Sequence, residues 1–202
     1  MGNNRREKDS LGELDVPGDV YWGINTQRAL MNFKISGKKF PKEFIIALAQ
    51  VKKACLLANV ATKKIDETIG DALGQAVSEI IEGKFLDQFP IDVFQTGSGT
   101  QTNVNMNEVL SNRANEILGH TKGTKNPVHP NDHANASQSS NDVIPTAMHV
   151  AAAFAFRDDL LAPLTHLRNT LAEKIEEFQG TIKVGRTHLM DAVPILLSTE
   201  FE

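Results

Sequence analysis

Residues 129–146 read HPNDHANASQSSNDVIPT, a polar segment that leads directly into a long helical pattern. Its Ser-Ser-Asn-Asp run, residues 139–142, stands where that helix should begin, and Pro145 falls in the expected first turn. The free N–H groups and the positive dipole end of a helix attract anions. The segment therefore predicts a helix start that can bind a carboxylate or a phosphate group.

Apolar residues from about Asp142 to Phe178 recur at helical spacing and predict one long helix. At a rise of about 1.5 Å per residue, this helix would be on the order of 50 Å long. Pro163 predicts a kink or a local break within it. Because shorter helices cannot cover so long and so wide an apolar stripe, the pattern indicates a helix bundle.

Two shorter helices are predicted earlier, one after Pro41 and one from about Asp66 to Glu82. In the first of them, the apolar residues recur on one face of the helix. Lys52 and Lys53 are then expected on its other, solvent-facing side.

The segment after the long helix predicts an extended stretch over 181–184, a turn over 185–188 and a new helix from Pro194. A chain that stops inside an apolar helix is expected to be a fragment of a longer protein. Taken together, the patterns predict a mainly α fold: a small mixed N-terminal domain over 1–138, then the start of a long-helix bundle domain over 139–202.

The composition is that of a soluble globular protein, with 41% hydrophobic and 23% charged residues among 202. A net charge of −4 gives no reason to expect nucleic acid or an anionic membrane as a partner. The single cysteine, Cys55, fits a reducing compartment and is expected to fill the core. With no signal peptide and no apolar run long enough to span a bilayer, the chain is predicted to be cytoplasmic.

The Gly-Ser-Gly-Thr run at 97–100 is similar to a phosphate-binding loop, but it lacks the lysine and the spacing of a P-loop. A flexible loop that presents Ser98, Thr100 and Asn103 to a small anion is the favoured interpretation. The alternative is a turn whose hydroxyls cap the next helix.

The histidines suggest two kinds of chemistry. His129 and His133 have the spacing of a metal-binding pair on a helix, but Pro130 argues against a regular helix there, so no metal is predicted. His188 lies in the Gly-Arg-Thr-His run with Asp191 three residues later, and its imidazole suits proton transfer near neutral pH. A purely structural role for His188 is the alternative.

Three blocks together resemble the class II fumarate hydratases of the fumarase/aspartase superfamily. They are GSGTQTNVNMNE at 97–108, the segment 129–142, and GRTH at 185–188. Aspartases typically carry Gln in place of His188 and a Cys-Gln-Ser-Thr-Asn block in place of residues 137–141, so the resemblance favours the fumarases.

This resemblance implies a lyase of the tricarboxylic acid cycle that reversibly hydrates fumarate to (S)-malate without a metal or an organic cofactor. It implies a homotetramer built around a shared helix bundle. His188 would act with an ordered water as proton donor and acceptor. By the same resemblance, the side chains that bind the substrate carboxylates are Ser98, Thr100, Ser139, Ser140, Asn141 and Thr187, and those of a second, non-catalytic dicarboxylate site are His129, Asn131 and Asp132.

The chain departs from the family pattern in length and in detail. Family chains are more than twice as long, and their serine base lies on a Gly-Ser-Ser-x-Met-Pro-Gly-Lys loop that this sequence does not contain. The 202-residue chain alone is therefore expected to be inactive. Asn126 stands where many relatives have a basic residue near the second site. The alternatives are an aspartate ammonia-lyase of the same superfamily and a truncated, non-catalytic interaction module.

Overall fold

The structure is a computed structural model that describes residues 4–202. The chain divides after Ala151 into two compact units. It is mainly helical, with one antiparallel two-stranded sheet near each end of the described chain, so the predicted fold class is confirmed. The predicted domain boundary between residues 138 and 139 stays a prediction.

The first unit begins with a hairpin that pairs Asn4 with Pro17 and Asp9 with Gly12. Its regular elements, including the helix that continues past Ala151, are β1 (Asn4–Asp9), β2 (Gly12–Pro17), α1 (Ile24–Asn32), α2 (Lys42–Ala61), α3 (Glu67–Ile81), α4 (Thr100–Ile117) and α5 (Ser140–Ala155). A short 3-10 turn, Leu86–Gln88, precedes α4, and a π-helical turn, Pro130–Ala134, precedes α5.

The ends of the early helices follow from the residues that flank them. Pro41 stands at the N-cap of α2. The Asp66 carboxylate accepts a hydrogen bond from the Thr68 N–H at 2.9 Å at the start of α3. Gly83, with φ of +89°, follows its end. Both helices predicted in this region are therefore confirmed.

Helix α4 begins inside the segment that the sequence analysis interprets as a loop. Gly99 takes a left-handed conformation with φ of +66° and the helix begins at Thr100. Thr100 and Asn103 therefore lie in the first turn of a regular helix, and the expectation of a flexible loop that presents them is wrong. Several polar side chains of this helix are buried, so its buried face does not show the apolar spacing that predicts a helix from the sequence.

The core of the first unit lies between α2, α3 and α4. Its largest fully buried apolar side chains there are those of Leu48, Leu73, Val77, Ile80, Met106 and Val109. By length and composition alone α2 could cross a membrane, but its apolar face packs into this core. Lys52 is 2% exposed, so its predicted place on the solvent-facing side of α2 is wrong. It lies four residues from both Leu48 and Leu56, on the buried stripe of the helix.

Two buried carboxylates hold the start of α1. Glu108 of α4 accepts hydrogen bonds from the N–H groups of Gly23, Asn25 and Thr26 at 2.9 to 3.0 Å. Glu7 of β1 accepts the N–H of Ile24 at 2.9 Å. These bonds satisfy backbone donors that the first helical turn leaves free. A Cβ atom on Gly23 would lie 2.9 Å from the Glu108 carboxyl carbon, so this close approach needs glycine.

The helix predicted from about Asp142 to Phe178 is present as α5, a π-helical segment (Phe156–Leu160) and α6 (Leu161–Phe178). The predicted local break is confirmed and lies just before Pro163. A proline ring clashes with the carbonyl four residues earlier, here residue 159 within the π segment. Because α5 begins at Ser140, Pro145 stands in its second turn and not in its first.

The second unit ends in a hairpin of β3 (Ile182–Thr187) and β4 (Met190–Leu196). The prediction of an extended stretch over 181–184 is confirmed by β3. The turn predicted over 185–188 is instead formed by His188 and Leu189, whose φ values are +48° and +63°. The helix expected from Pro194 is wrong, and so is the inference that the chain stops inside a helix. In a two-stranded sheet both strands are edges, so β4 can include a proline. A short 3-10 turn, Leu197–Glu200, follows.

We predict that Glu108→Gln destabilises the chain by about 3 kcal/mol, because the new amide NH2 would face N–H donors that need an acceptor. Urea unfolding followed by circular dichroism would measure this loss. Asp71→Asn, which changes an exposed carboxylate on α3 in the same way, is the control and should leave the unfolding midpoint nearly unchanged. Equal midpoints for the two variants would contradict the capping role of Glu108.

Candidate active site

The N-termini of α4 and α5 lie side by side in the first unit. Gly99 at the start of α4 packs against Ile144 of α5, where an added Cβ atom would meet the Ile144 side chain at 3.0 Å. One turn into α4, Asn103 Nδ2 donates a hydrogen bond to Ser140 Oγ at 3.0 Å. Two of the three sequence blocks therefore meet at one place.

Two hydroxyl groups lie at the start of α4, but no side chain caps the helix there. Gly99 occupies the N-cap and has no side chain to offer the free N–H groups. The hydroxyl oxygens of Ser98 and Thr100 lie 2.8 Å apart beside this end. Gln95 Oε1 accepts the N–H of Thr102 at 2.9 Å, so this donor of the first turn already has a partner. A helix end of this kind favours an anion that can accept hydrogen bonds.

The start of α5 has a similar arrangement. Ser139 Oγ accepts the N–H of Asn141 at 3.3 Å, and both residues are exposed. Ser140 is half-buried and faces Asn103 of α4. The structure therefore brings Ser98, Thr100, Ser139, Ser140 and Asn141 to two adjacent helix ends.

The segment at 129–133 forms a separate cluster around two imidazoles. His129 Nδ1 accepts the N–H groups of Asn131 and Asp132 at 3.3 Å and lies 3.2 Å from an Asp132 carboxylate oxygen. His133 Nδ1 accepts the His129 N–H at 2.8 Å. The expectation that this segment is no regular α-helix is confirmed by its π-helical turn.

Burial lowers the pKa of His133. The Asp132 carboxylate partly opposes this effect of desolvation, and His129 adds to the lowering of the pKa. Both Nδ1 atoms of the pair are already engaged by backbone N–H groups. Among residues 4–202, no three His, Cys, Asp or Glu side chains are grouped where they could hold a metal ion.

Lys52 is connected to the two helix ends through Asn135, and the sequence did not indicate it as a site residue. Its Nζ donates to Asn135 Oδ1 at 2.9 Å, and the same oxygen accepts from Asn103 Nδ2 at 3.1 Å. Burial lowers the pKa of Lys52 to about 7, with a small opposing effect of Cys55. The spacing of four residues from Leu48 and Leu56 was the signal that could have shown its burial.

The expectation that Cys55 fills the core is met only in part, because its side chain is not fully enclosed. It is half-buried one turn after Lys52 on α2. Burial raises the pKa of its thiol, Lys52 opposes this and Asp142 reinforces it. A thiol with a raised pKa is a poor nucleophile at neutral pH.

Thr187 and His188 belong to the second unit. His188 is exposed at the turn of the β3–β4 hairpin, and Thr187 pairs with Met190 beside it. Asp191 forms an ion pair with Arg186 across the hairpin at 3.1 Å, so Arg186 is its charged partner. The roles of Thr187 and His188 at the site stay predictions.

The family profile described as "Lyase" matches residues 12–202. The chain belongs to this lyase family. Over 201 residues it is 51% identical to a class II fumarate hydratase of Brucella suis, a match that covers 100% of this chain and 43% of that protein. It thus spans less than half the length of the curated relatives that it matches.

Solved structures of this family have the same fold. The crystal structure of a class II fumarase from Schistosoma mansoni superposes with a TM-score of 0.92 at 41% identity, over 98% of this chain and 42% of that one. A fumarate lyase:delta crystallin structure from Brucella melitensis also gives 0.92, at 45% identity, over 98% of this chain and 46% of that one. The resemblance to class II fumarate hydratases is therefore confirmed.

We predict that stability rises with pH above neutral because of Lys52. Between pH 7 and 10.5 the unfolded chain holds a proton on Lys52 that the folded chain has lost, so the free energy of unfolding increases with pH. From pH 7.5 to 9.0 the increase is about 2 kcal/mol. Lys52→Met should abolish this contribution, as measured by urea unfolding at the two pH values.

The control is Lys53→Met, the next residue of α2, which is half-buried and donates to Ser78 Oγ at 3.1 Å. This variant should keep the same rise in stability with pH as the unchanged chain. A rise of equal size in the Lys52→Met variant would show that Lys52 does not cause it.

Proposed function

We propose that this chain forms part of the dicarboxylate site of a fumarate hydratase, and that the whole protein reversibly hydrates fumarate to (S)-malate. The observation that carries this proposal is the meeting of two hydroxyl-lined helix N-termini, joined by the 3.0 Å bond from Asn103 to Ser140. A dianion needs hydrogen-bond donors and helix dipoles more than bulk positive charge. The net charge of −4 is compatible with such a local site.

These donors can also act on the reaction itself. When a proton leaves C3 of malate, negative charge develops on the adjacent carboxylate, and donors already in place stabilise it. Ser98, Thr100 and Ser140 are candidates for this role, with Ser139 and Asn141 beside them. From the family resemblance, Thr187 would bind substrate and His188 would exchange a proton with the water that adds to fumarate. No metal or organic cofactor is part of this proposal.

The second dicarboxylate site is proposed at His129, Asn131 and Asp132. The two backbone N–H groups that an anion would use already donate to His129 Nδ1. A ligand that uses these two donors must displace the imidazole from them. The Asp132 carboxylate would oppose an anion, and Asn126 supplies no compensating charge.

Assembly through the long helix is proposed for the whole protein. Within the second unit, α6 has no buried residue. Together with those of the preceding π segment, its large exposed apolar side chains are Phe156, Leu160, Leu161, Leu164, Leu167 and Leu171. An apolar stripe of this kind needs a partner surface. The homotetramer that the family resemblance implies would provide one, in the cytoplasm that the sequence predicts.

The same stripe also favours a second function, that of a non-catalytic interaction module. It predicts stable oligomers in light scattering together with no specific response to fumarate. The rival within the superfamily, an aspartate ammonia-lyase, predicts that a change of His188 in the whole protein leaves activity nearly unchanged. A fumarase predicts a severe loss.

The direct test is an NMR titration of the 15N-labelled chain with fumarate. We expect shifts at residues 98–100 and 139–141, and little response to fumaramide, which has the same shape without charge. Ser140→Ala should weaken fumarate binding about fivefold, the value of one hydrogen bond of about 1 kcal/mol. The control is Ser10→Ala, which removes an exposed hydroxyl elsewhere.

Two results would count against this function. One is an equal response to fumarate and fumaramide, which would show that charge is not recognised. The other is shifts confined to residues away from the two helix ends, which would show that the ligand binds elsewhere.

A further inference from the structure

A chain of hydrogen bonds connects a buried amine to the proposed carboxylate site. Lys52 Nζ donates to Asn135 Oδ1 at 2.9 Å. Asn103 Nδ2 donates to the same oxygen at 3.1 Å and to Ser140 Oγ at 3.0 Å. Lys52 and Asn103 are each 2% exposed, so the hydrogen bonds that start at Lys52 are shielded from solvent.

Asn135 gives these hydrogen bonds a direction. Its Oδ1 faces Lys52 Nζ, which can donate to it both as an ammonium and as a neutral amine. The Asn135 amide is held in that orientation because its Nδ2 donates to the Gln138 carbonyl at 3.2 Å. The Asn135 oxygen therefore faces both Lys52 and Asn103.

The Asn103 amide must then turn its NH2 group toward Asn135, since the opposite orientation would place two oxygens in contact. This orientation leaves Asn103 Oδ1 buried without a hydrogen-bond partner. An unpaired buried oxygen is unfavourable. The orientation of the Asn103 amide is therefore set by the two hydrogen bonds of its NH2 group, to Asn135 and Ser140, and not by any bond of its oxygen.

The last bond decides what Ser140 can do. Its oxygen accepts from Asn103, so its single hydroxyl hydrogen points elsewhere. A carboxylate is an acceptor only and needs such a hydrogen. We propose that Lys52 and Asn103 are positioning residues that hold Ser140 as a hydrogen-bond donor and thereby select an anionic acceptor ligand. This inference rests on the proposed function, because fumarate is the ligand concerned.

A double-mutant cycle tests the proposal. Asn103→Leu removes the donor to Ser140 without adding charge, and it should weaken fumarate binding about threefold to fivefold. Once Ser140 is alanine there is no hydroxyl to orient, so Asn103→Leu should then have no further effect. Independent, multiplicative losses of affinity in the two single variants would overturn the proposal.

Asn107→Leu is the matched control for the loss of a buried amide. Asn107 lies one turn later on α4, is 1% exposed, and both of its side-chain polar atoms are without partners. Its replacement should leave fumarate binding unchanged. A loss equal to that of Asn103→Leu would show a general packing effect and would contradict a positioning role.

A second measurement does not depend on fumarate. Lys52→Met should shift the side-chain NH2 signals of Asn135 and Asn103 and speed their hydrogen exchange, while Lys53→Met should not. Unchanged Asn103 signals would overturn the role of Lys52, whether or not the chain binds fumarate. If these signals change but the protein does not bind fumarate, the proposed function is wrong. The inferred direction of the hydrogen bonds from Lys52 to Ser140 would still be supported.

Discussion

The burial of polar side chains along α4 (Thr100–Ile117) is the constraint on which the first unit depends. Most of this helix is buried, and its carboxylate and several of its amides bind partners inside the protein. Glu108 binds the start of α1, Asn112 binds Tyr21 and Gly123, and Asn115 binds both polar atoms of the Val128 backbone. The loops around α4 therefore take positions that these polar groups dictate.

The same constraint shapes the candidate site. Asn103 is one of the buried amides of α4, and its partner Ser140 starts α5. The two helix ends are thus held together by polar contact as well as by the packing of Gly99 on Ile144. Rigid donors that are already in place lose little entropy when a ligand binds, and they stabilise developing charge without reorganisation. A site of this kind needs few cationic side chains to hold a dianion.

Local signals predicted much of the fold and of the site. Pro41, Asp66 and Gly83 mark helix ends through short-range effects that act in any context. The prediction that Lys52 faces solvent was wrong. Helical amphipathicity places charged side chains on the exposed face, but Asn135 provides this amine with a hydrogen-bond partner inside the core. The helix expected from Pro194 failed because pairing with β3, a contact between separate segments, outweighed the local pattern.

The sequence by itself determined the family, the helical class and the residue types that can bind a dicarboxylate, because these depend on motifs and on local spacing. Tertiary structure decided which of those residues meet: Ser98, Thr100 and Ser140 at two adjacent helix ends, and His188 on the hairpin of another unit. It also decided the direction of the hydrogen bonds between Lys52 and Ser140. That direction depends on desolvated contacts between distant segments, which spacing along a chain does not encode.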